Sequence, residues 1–441
     1  MSKSKPYAWV NVKDVNLPKL LKELQGRDLW VGIDVAKEHL LVVLSWGEQL
    51  FARPWRVNYP EQLGLLVQML KTLAEGRKLT VAIEPTGSYA DPLRWALTMA
   101  KLAVVRIESK ASHDYAEIFD GVPSQHDGKD AAALAELARH GKGTAWPLEL
   151  KEERESTMRA LVEAADDQQR VGSVWAGRLE GLLSRHWPEA TRILELDSVT
   201  LLKTLMEHGG PAGLAQDPLS REKLSEWGGV WLKPEKVEAL IQSAGATAGV
   251  PANEAERGRL QQYAASALEA QRELTGIRHQ LEKMTKGDAV LERMGCAVGK
   301  ATACVLFVLL GDPRNYSNVR AYLKAAGLNL AERSSGQYQG QLRISKRGPA
   351  TVRRWLYLAV LRLIQKEPAS TWYQRKRERD GGGGQGPRRK KTGLIAIVAL
   401  MRRLLGSVWQ ITRKQESFDV DRLFGSRRRA GRLAVVMTLS R

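Results

Sequence analysis

The sequence predicts an α/β domain in the N-terminal third followed by an all-α remainder, and three observations carry that expectation. Over residues 29–140, strand-type apolar runs alternate with segments of helical spacing. From about residue 148 onward the apolar residues instead recur three and four apart. The charge is also unevenly placed: Lys and Arg outnumber Asp and Glu by 31 to 10 in residues 288–441, against 19 to 17 in 1–145 and 18 to 22 in 146–287. The formal net charge of +19 therefore belongs to the last third, where it marks a surface for a polyanion. A solvated basic tail that binds RNA or membranes without specificity is the bland alternative.

LWVGIDV (29–35) is a buried-type strand, and HLLVVLSW (39–46) returns after a three-residue turn. FARPWRVNY (51–59) makes a third strand, restricted by Pro54 to an edge or a bulge. Pro60 opens a helix through PEQLGLLVQMLKTLAEG. LTVAIEP (79–85) is a fourth strand, a helix fits 88–101, AVVRIES (103–109) is a fifth strand, and helical spacing runs through 112–140. Three strands, a helix, a strand, a helix, a strand and a helix is the order of the RNase H fold. Sugar kinases and actin-like proteins share that order, so it leaves function open.

Residues 148–185 and 253–287 are rich in Glu, Arg, Leu, Ala and Gln. They fit the two arms of a coiled-coil hairpin with 186–250 inserted between them, and ordinary helix packing fits nearly as well. Beyond 288 the chain is basic and helical, with turns at GDPRNYSN (311–318) and ERSSGQYQGQ (332–341). RKRERDGGGGQGPRRKK (375–391) reads as a flexible charged loop, since four consecutive glycines do not hold a helix. LIAIVALMRRLLGSVW (394–409) is a last apolar helix before a basic tail. The expected divisions are 28–145, 146–287, 288–370 and 371–441.

No uninterrupted apolar run reaches the roughly 18 residues of a membrane span. No charged-then-apolar leader opens the chain. Cys296 and Cys304 alone cannot make a zinc site. A reducing cytoplasm is the expected location.

Four carboxylates stand out by position. Asp34 closes the first strand and Glu84 the fourth, while Asp127 and Asp130 begin a helix one turn apart. Residues three apart share a helix face. Strand ends facing a helix start can gather such groups into a cluster that needs divalent cations, and two Mg2+ ions so held serve phosphodiester chemistry. The plainer readings are helix capping for Asp127 and Asp130, and a surface turn for Glu84. Asp34, flanked by apolar strand residues, needs a partner in any case.

GIDVAKEHLLV, AIEPTGSYADPLRWAL and HDGKDAAALAELA, in this order, resemble the N-terminal domain of the DEDD transposases. These are insertion-sequence recombinases related to pilin-gene invertases and distantly to RuvC-type resolvases, which implies an RNase H-like (RuvC-like) domain. The resemblance implies Asp34, Glu84, Asp127 and Asp130 as catalytic metal ligands, with Mg2+ as the cofactor. The family's third motif usually follows a basic residue and a Thr, where this chain has Gln125 and His126.

Residues 294–328 resemble the family's second half, where a helix-hairpin-helix turn presents backbone N–H groups to a phosphate; Ala297 stands in place of its usual first glycine and Gly299 matches, and an ordinary tight turn between two helices is the plainer reading. The stronger match is GLNLAERSSGQYQGQLRISKRGPATVRRWLYLAVLRLI (327–364). It carries a Ser–Gly pair, a basic Ile-Ser-Lys-Arg-Gly stretch and arginines near a helix start. The resemblance implies a serine nucleophile, Ser335 first and Ser334 second. It places Lys346, Arg347, Arg353 and Arg354 near nucleic acid; Arg388, Arg389, Lys390 and Lys391 add non-specific charge. It also implies DNA as substrate, a structured guide RNA, and dimers or tetramers in which the acidic site of one subunit meets the serine of another.

An actin-like kinase, a RuvC-like junction nuclease without need of Ser335, and an inert nucleic-acid-binding protein are the competing readings. The kinase class wants Gly and Thr after its strand-end Asp; Val35 and Ala36 stand there.

Nucleic-acid binding through residues 288–441 is expected to weaken steeply with salt. Neutralising ~6 phosphates costs roughly three decades of affinity between about 50 and 200 mM salt. A salt titration followed by fluorescence anisotropy checks this, and a flat response would show that the basic third faces something other than a phosphate backbone.

Overall fold

LWVGIDV forms strand β1 (Leu29–Val35), and the chain returns antiparallel as β2 (His39–Gly47), with Trp30 opposite Ser45 and Val35 opposite Leu40. The expected third strand breaks around Pro54. Leu50–Phe51 and β3 (Trp55–Asn58) pair separately with β2, because proline offers no N–H to the ladder. Helix α1 (Leu63–Ala74) leads to β4 (Leu79–Ile83), parallel to β1 with Gly32 beside Ala82 and Ile33 beside Ile83. Helix α2 (Asp91–Met99) leads to β5 (Ala103–Arg106), parallel to β4. The central strand order is β3-β2-β1-β4-β5, with short strands at Val10–Asn11 and Thr144–Ala145 extending the two edges. Helices α3 (Ser109–Ile118) and α4 (Asp127–Arg139) follow the fifth strand.

The computed structural model describes residues 8–48, 50–118, 127–150, 152–331, 343–381 and 387–424, and the chain divides into units 1–151 and 152–441. In the first unit the faces of the sheet follow from strand alternation. Val31, Ile33, Val81 and Ile83 join a core with Leu66 and Leu70 of α1 and Leu93 and Leu97 of α2. Gly32 and Ala82 belong to the opposite face, which α3 and α4 cover. Ala82 packs with Leu134, Leu137 and Ala138, and Val43 with Ala131 and Ala132. The approach of α4 is closest at Gly32, where a Cβ would lie 1.8 Å from the Ala131 carbonyl oxygen and 2.7 Å from the Ala135 nitrogen. Only glycine fits there, and the alanines of AAALAELA keep the helix side equally flat.

Glu136 locks this contact. It is 3% exposed, and its carboxylate accepts from Ser45 Oγ of β2 at 2.7 Å and from the Arg139 guanidinium at 2.7 to 3.1 Å. A buried carboxylate with every nearby donor engaged avoids the cost of an unpaired charge. The same hydrogen bonds hold the Arg139 guanidinium above its ordinary pKa.

The second unit is helical. α5 (Glu153–His186) runs 34 residues, and after shorter helices, including α6 (Val199–His208), α7 (Ser220–Gly228) and α8 (Pro234–Gly245), comes α9 (Glu254–Met284) of 31 residues. Asn253 and Glu256 cap α9 reciprocally, each side chain accepting from the other's backbone N–H at 2.9 and 3.0 Å. Met158 and Val162 near the start of α5 pack with Leu274 and Leu281 near the end of α9. Leu179 and Leu183, near the other end, pack with Leu260 and Ala264. The long helices are therefore antiparallel. Leu201, Leu205, Leu224, Val237 and Leu240 of the inserted helices gather at the Leu183 end.

Among the described residues there follow α10 (Ala289–Val298), α11 (Lys300–Leu310), α12 (Val319–Ala325), β6 (Leu330–Ala331), β7 (Arg343–Ile344), α13 (Ala350–Leu363), α14 (Ala369–Gly381), α15 (Pro387–Lys414) and α16 (Val420–Phe424). Met294, Leu306, Leu356, Leu400 and Leu404 share one core, so α15 packs with the helices from α10 onward. The loop expected at 375–391 is a correction: residues 375–381 end one helix and 387–391 begin another, because Arg, Lys and Glu favour helix on both sides of the glycines. The stretch Gly393–Lys414 is 22 residues long and apolar enough to cross a membrane by length and composition. Ile397, Leu400, Met401, Leu404, Leu405 and Val408 are nevertheless buried against the rest of the unit, and that core position accounts for the apolarity.

Gly32→Ala should destabilise the first unit by about 1–3 kcal/mol, since the added carbon meets backbone that cannot rotate away. Chemical denaturation of the variant tests this, and unchanged stability would mean that α4 is not seated on β1 as described.

Candidate active site

Ile33 and Ile83 are the last register partners of β1 and β4, so Asp34 and Glu84 come next at the carboxyl ends of neighbouring parallel strands. Alternation puts Asp34 on the face of Gly32 and, carried one residue further, Glu84 on that of Ala82. That is the face under α4. Asp130 immediately precedes Ala131, whose carbonyl oxygen sits over Gly32, so the first turn of α4 lies at the same end of the sheet. Asp34, Glu84 and Asp130 are all half-buried. Asp127 is the first residue of α4, and its side chain lies outside the described residues.

Two neighbours escaped the sequence reading. Ser112 of α3 is buried and its Oγ lies 2.5 Å from Glu84 Oε2, a charge-assisted hydrogen bond that fixes the carboxylate against the helix face. Lys129 stands between the two aspartates and is 2% exposed. The only hint of Ser112 in the sequence is a serine on the sheet-facing side of a helix, with no motif around it. The lysine within HDGKD was visible but unremarked, since lysines at helix starts are usually solvated.

In the second unit, the residues that carried the resemblance form one knot. Ser345 N–H donates to the Asn329 carbonyl at 2.8 Å and Lys346 N–H to the Gly327 carbonyl at 3.0 Å. A Cβ on Gly348 would lie 2.4 Å from the Ala325 carbonyl oxygen and 2.7 Å from the Gly327 nitrogen, and both glycines have positive φ, +155° and +67°. Arg353 Nη1 ties the knot, donating to the Gly348 carbonyl at 2.8 Å and to those of Ala326 and Pro349 at 3.3 Å. Arg354 pairs at 3.0 Å with Asp166 of α5, which also accepts from Thr351 Oγ1 at 2.9 Å. Both arginines are thus committed within the unit, whereas Lys346 and Arg347 are exposed. Arg388, Arg389, Lys390 and Lys391 lie in the first two turns of α15, with their side chains outside the described residues. Ser334 and Ser335 also lie outside them; the flanking Ala331 and Arg343 are antiparallel register partners.

A third group went unread. Glu207, His208 and Asp217 place one donor atom each within 4.8 Å of one another. Lys223 occupies that arrangement already: its Nζ is 2.8 Å from Asp217 Oδ2 and donates to Glu207 as well. The lysine's hydrogen bond holds the Asp217 carboxyl below its usual range, and burial pushes His208 down toward its neutral form. The group is an ion-pair cluster joining the inserted helices, and a metal ion would have to displace the ammonium.

Two family models match the chain: a DEDD transposase model of the IS110 type over residues 31–188, and the transposase IS116/IS110/IS902 family over 288–374. The chain belongs to the IS110 family of DEDD transposases. It is 26% identical over 350 residues to the insertion element IS110 uncharacterized 43.6 kDa protein of Streptomyces coelicolor, covering 77% of this chain and 82% of that one. The first match takes in β1 through α5 and the second contains the knot around Arg353. Transposases of this kind bind, cleave and rejoin DNA, and the DEDD group typically uses a divalent metal. Residues 189–287 and 375–441 fall outside both matches.

Arg353→Ala should cost this transposase about 1–3 kcal/mol by orphaning backbone carbonyls, and Arg353→Lys should recover only part, because a point ammonium cannot serve all three. Urea denaturation of both variants checks this. Wild-type stability in the alanine variant would mean that the guanidinium does not hold the knot.

Proposed function

We propose that the chain is an insertion-sequence recombinase with an RNase H-like catalytic domain, using Mg2+ at Asp34, Glu84, Asp127 and Asp130 and Ser335 as nucleophile. The observation that carries this is the placement of Asp34 and Glu84 at adjacent parallel strand ends, on the sheet face that α4 covers with Asp130 in its first turn. The strand order β3-β2-β1-β4-β5, three antiparallel strands followed by two parallel ones, supports the RNase H-like reading.

An all-carboxylate donor set suits a hard cation such as Mg2+. Bound there, such an ion would supply positive charge to the phosphate oxygens and to the reacting hydroxyl. The protein's own part begins with Ser112, which orients Glu84 through its hydrogen bond. An isolated serine hydroxyl is too weak an acid to react near neutral pH. The acidic site and the Ser335 segment must therefore meet, within one chain or between subunits. In the proposed step the Ser335 Oγ–phosphorus bond forms and the phosphorus–oxygen bond to the departing strand breaks. The serine proton passes to a carboxylate of the acidic site, which returns it to the departing oxygen, so that the strand leaves as a hydroxyl. The phosphoserine link conserves the bond for rejoining. Ser334 is the second choice. Exposed Lys346 and Arg347 follow the serine segment and neutralise the scissile phosphate. A structured RNA from the element guides the enzyme, which works as a dimer or tetramer.

Asp34→Ala and Asp130→Ala should abolish strand cleavage with DNA binding kept, and retained recombination in either would sink the acidic site. Trapping on a nicked suicide substrate should leave DNA on the peptide bearing Ser334 and Ser335, and Ser335→Ala should lose strand transfer. Free ends with no adduct would identify a water-mediated junction nuclease instead.

A further inference from the structure

Lys129 is 2% exposed, and a lysine is seldom so deeply buried without a charge to answer. Its place along α4 shows which charge that is. Lys129, Ala132 and Glu136 recur three and four residues apart, so they form one line on the helix. Glu136 accepts from Ser45 Oγ at 2.7 Å, and Ala132 packs with Val43. Ser45, Val43 and Leu41 follow one another on a single face of β2. The line therefore runs from Glu136 over Ser45 to Lys129 over Leu41, and Leu41 is the register partner of Asp34. Leu41 is 5% exposed, so the lysine borders the strand end on a side that solvent does not reach. Asp127 and Asp130 flank Lys129 in the same helical turn.

On the proposed reading, Asp34, Glu84, Asp127 and Asp130 act together, and carboxylates brought together repel one another. Ser112 satisfies Glu84 with a hydrogen bond but brings no charge. An ammonium brings one. It has no lone pair, so Lys129 cannot be a metal ligand, yet its charge offsets part of the repulsion at low dielectric. The same charge opposes any further cation entering beside it.

We infer that Lys129 is a positioning residue of the acidic site, a built-in counter-charge that keeps the carboxylates together without metal. It also holds divalent cations weakly until a phosphate of the bound strand adds negative charge of its own. Metal binding and nucleic-acid binding are thereby coupled through one buried ammonium. The inference rests on the proposed reading that these four carboxylates hold Mg2+.

The test measures Mn2+ affinity by calorimetry, and melting temperature in EDTA and in Mg2+, on the full chain with and without duplex DNA. Lys129→Met keeps an apolar stem and removes the charge, while Lys129→Arg keeps the charge. Without DNA, Lys129→Met should bind Mn2+ about tenfold tighter than the wild type, and Lys129→Arg should stay near it. The methionine variant should melt below the wild type in EDTA and recover in Mg2+. The gain in Mn2+ affinity that DNA gives the wild type should shrink in it. A methionine variant that folds only when Mg2+ is present supports the inference as well. A loss of stability equal with and without Mg2+, or no folding in either, shows that Lys129 only packs, and overturns it. Unchanged Mn2+ affinity in Lys129→Met, or equal tightening in Lys129→Arg, also overturns it. If Asp34→Ala abolishes Mn2+ binding while Lys129→Met leaves it unchanged, the acidic site stands and the lysine's part falls. A wild type that binds no Mn2+, with or without DNA, sinks both.

Discussion

Where the α4 backbone touches β1 at Gly32, the N-terminal unit has no room for a single extra carbon, and the positions of its carboxylates follow from that contact. Strand alternation alone would leave Asp34 and Glu84 on a shared face with nothing opposite. Seating α4 at Gly32 brings its first turn over the strand ends, and the buried Glu136 with its Ser45 and Arg139 partners stops the helix from sliding or rotating. The hydrogen bond from Ser112 then restrains Glu84 from the neighbouring helix. The helix that carries Asp130 is thus held over the strand ends by apolar packing and by one buried polar anchor.

Much of this was legible in the sequence because its signals are local. Apolar runs separated by turns define the strands, and three-residue spacing puts Asp127 and Asp130 on one helix face. The role of Gly32 inside VGIDVA was not legible, since a glycine in a strand does not say which helix approaches it. Ser112 was illegible, since its importance depends on a partner 28 residues away. The arginines of RRW show the same limit from the other side. They looked free for a polyanion, but Arg353 is used up by three carbonyls and Arg354 by Asp166, which lies 188 positions earlier in the chain.

The C-terminal knot explains why glycine and arginine recur where they do. Gly327 and Gly348 let two backbone segments pass at distances that a side chain would forbid. Arg353 then satisfies the carbonyls that the crossing turns away from other donors. The expected flexible stretch at 375–391 shrank because helix-forming cations and carboxylates flank the glycines, and composition averaged over the whole stretch hid them.

The antiparallel pair α5 and α9 has a consequence of scale. Met158 lies in the core at one end and Leu183 in the core at the other, and 25 residues of helix at 1.5 Å each span about 38 Å. That is close to one turn of B-form duplex, roughly 34–36 Å. If a duplex ran alongside this pair, whatever the inserted helices touched would lie about one turn from whatever the opposite end touched, on the same side of the double helix. Residues 187–250 would then act as the far jaw of a caliper, and lengthening both arms would carry that jaw along the duplex by about 1.5 Å per added residue, off the face it shared with the near end.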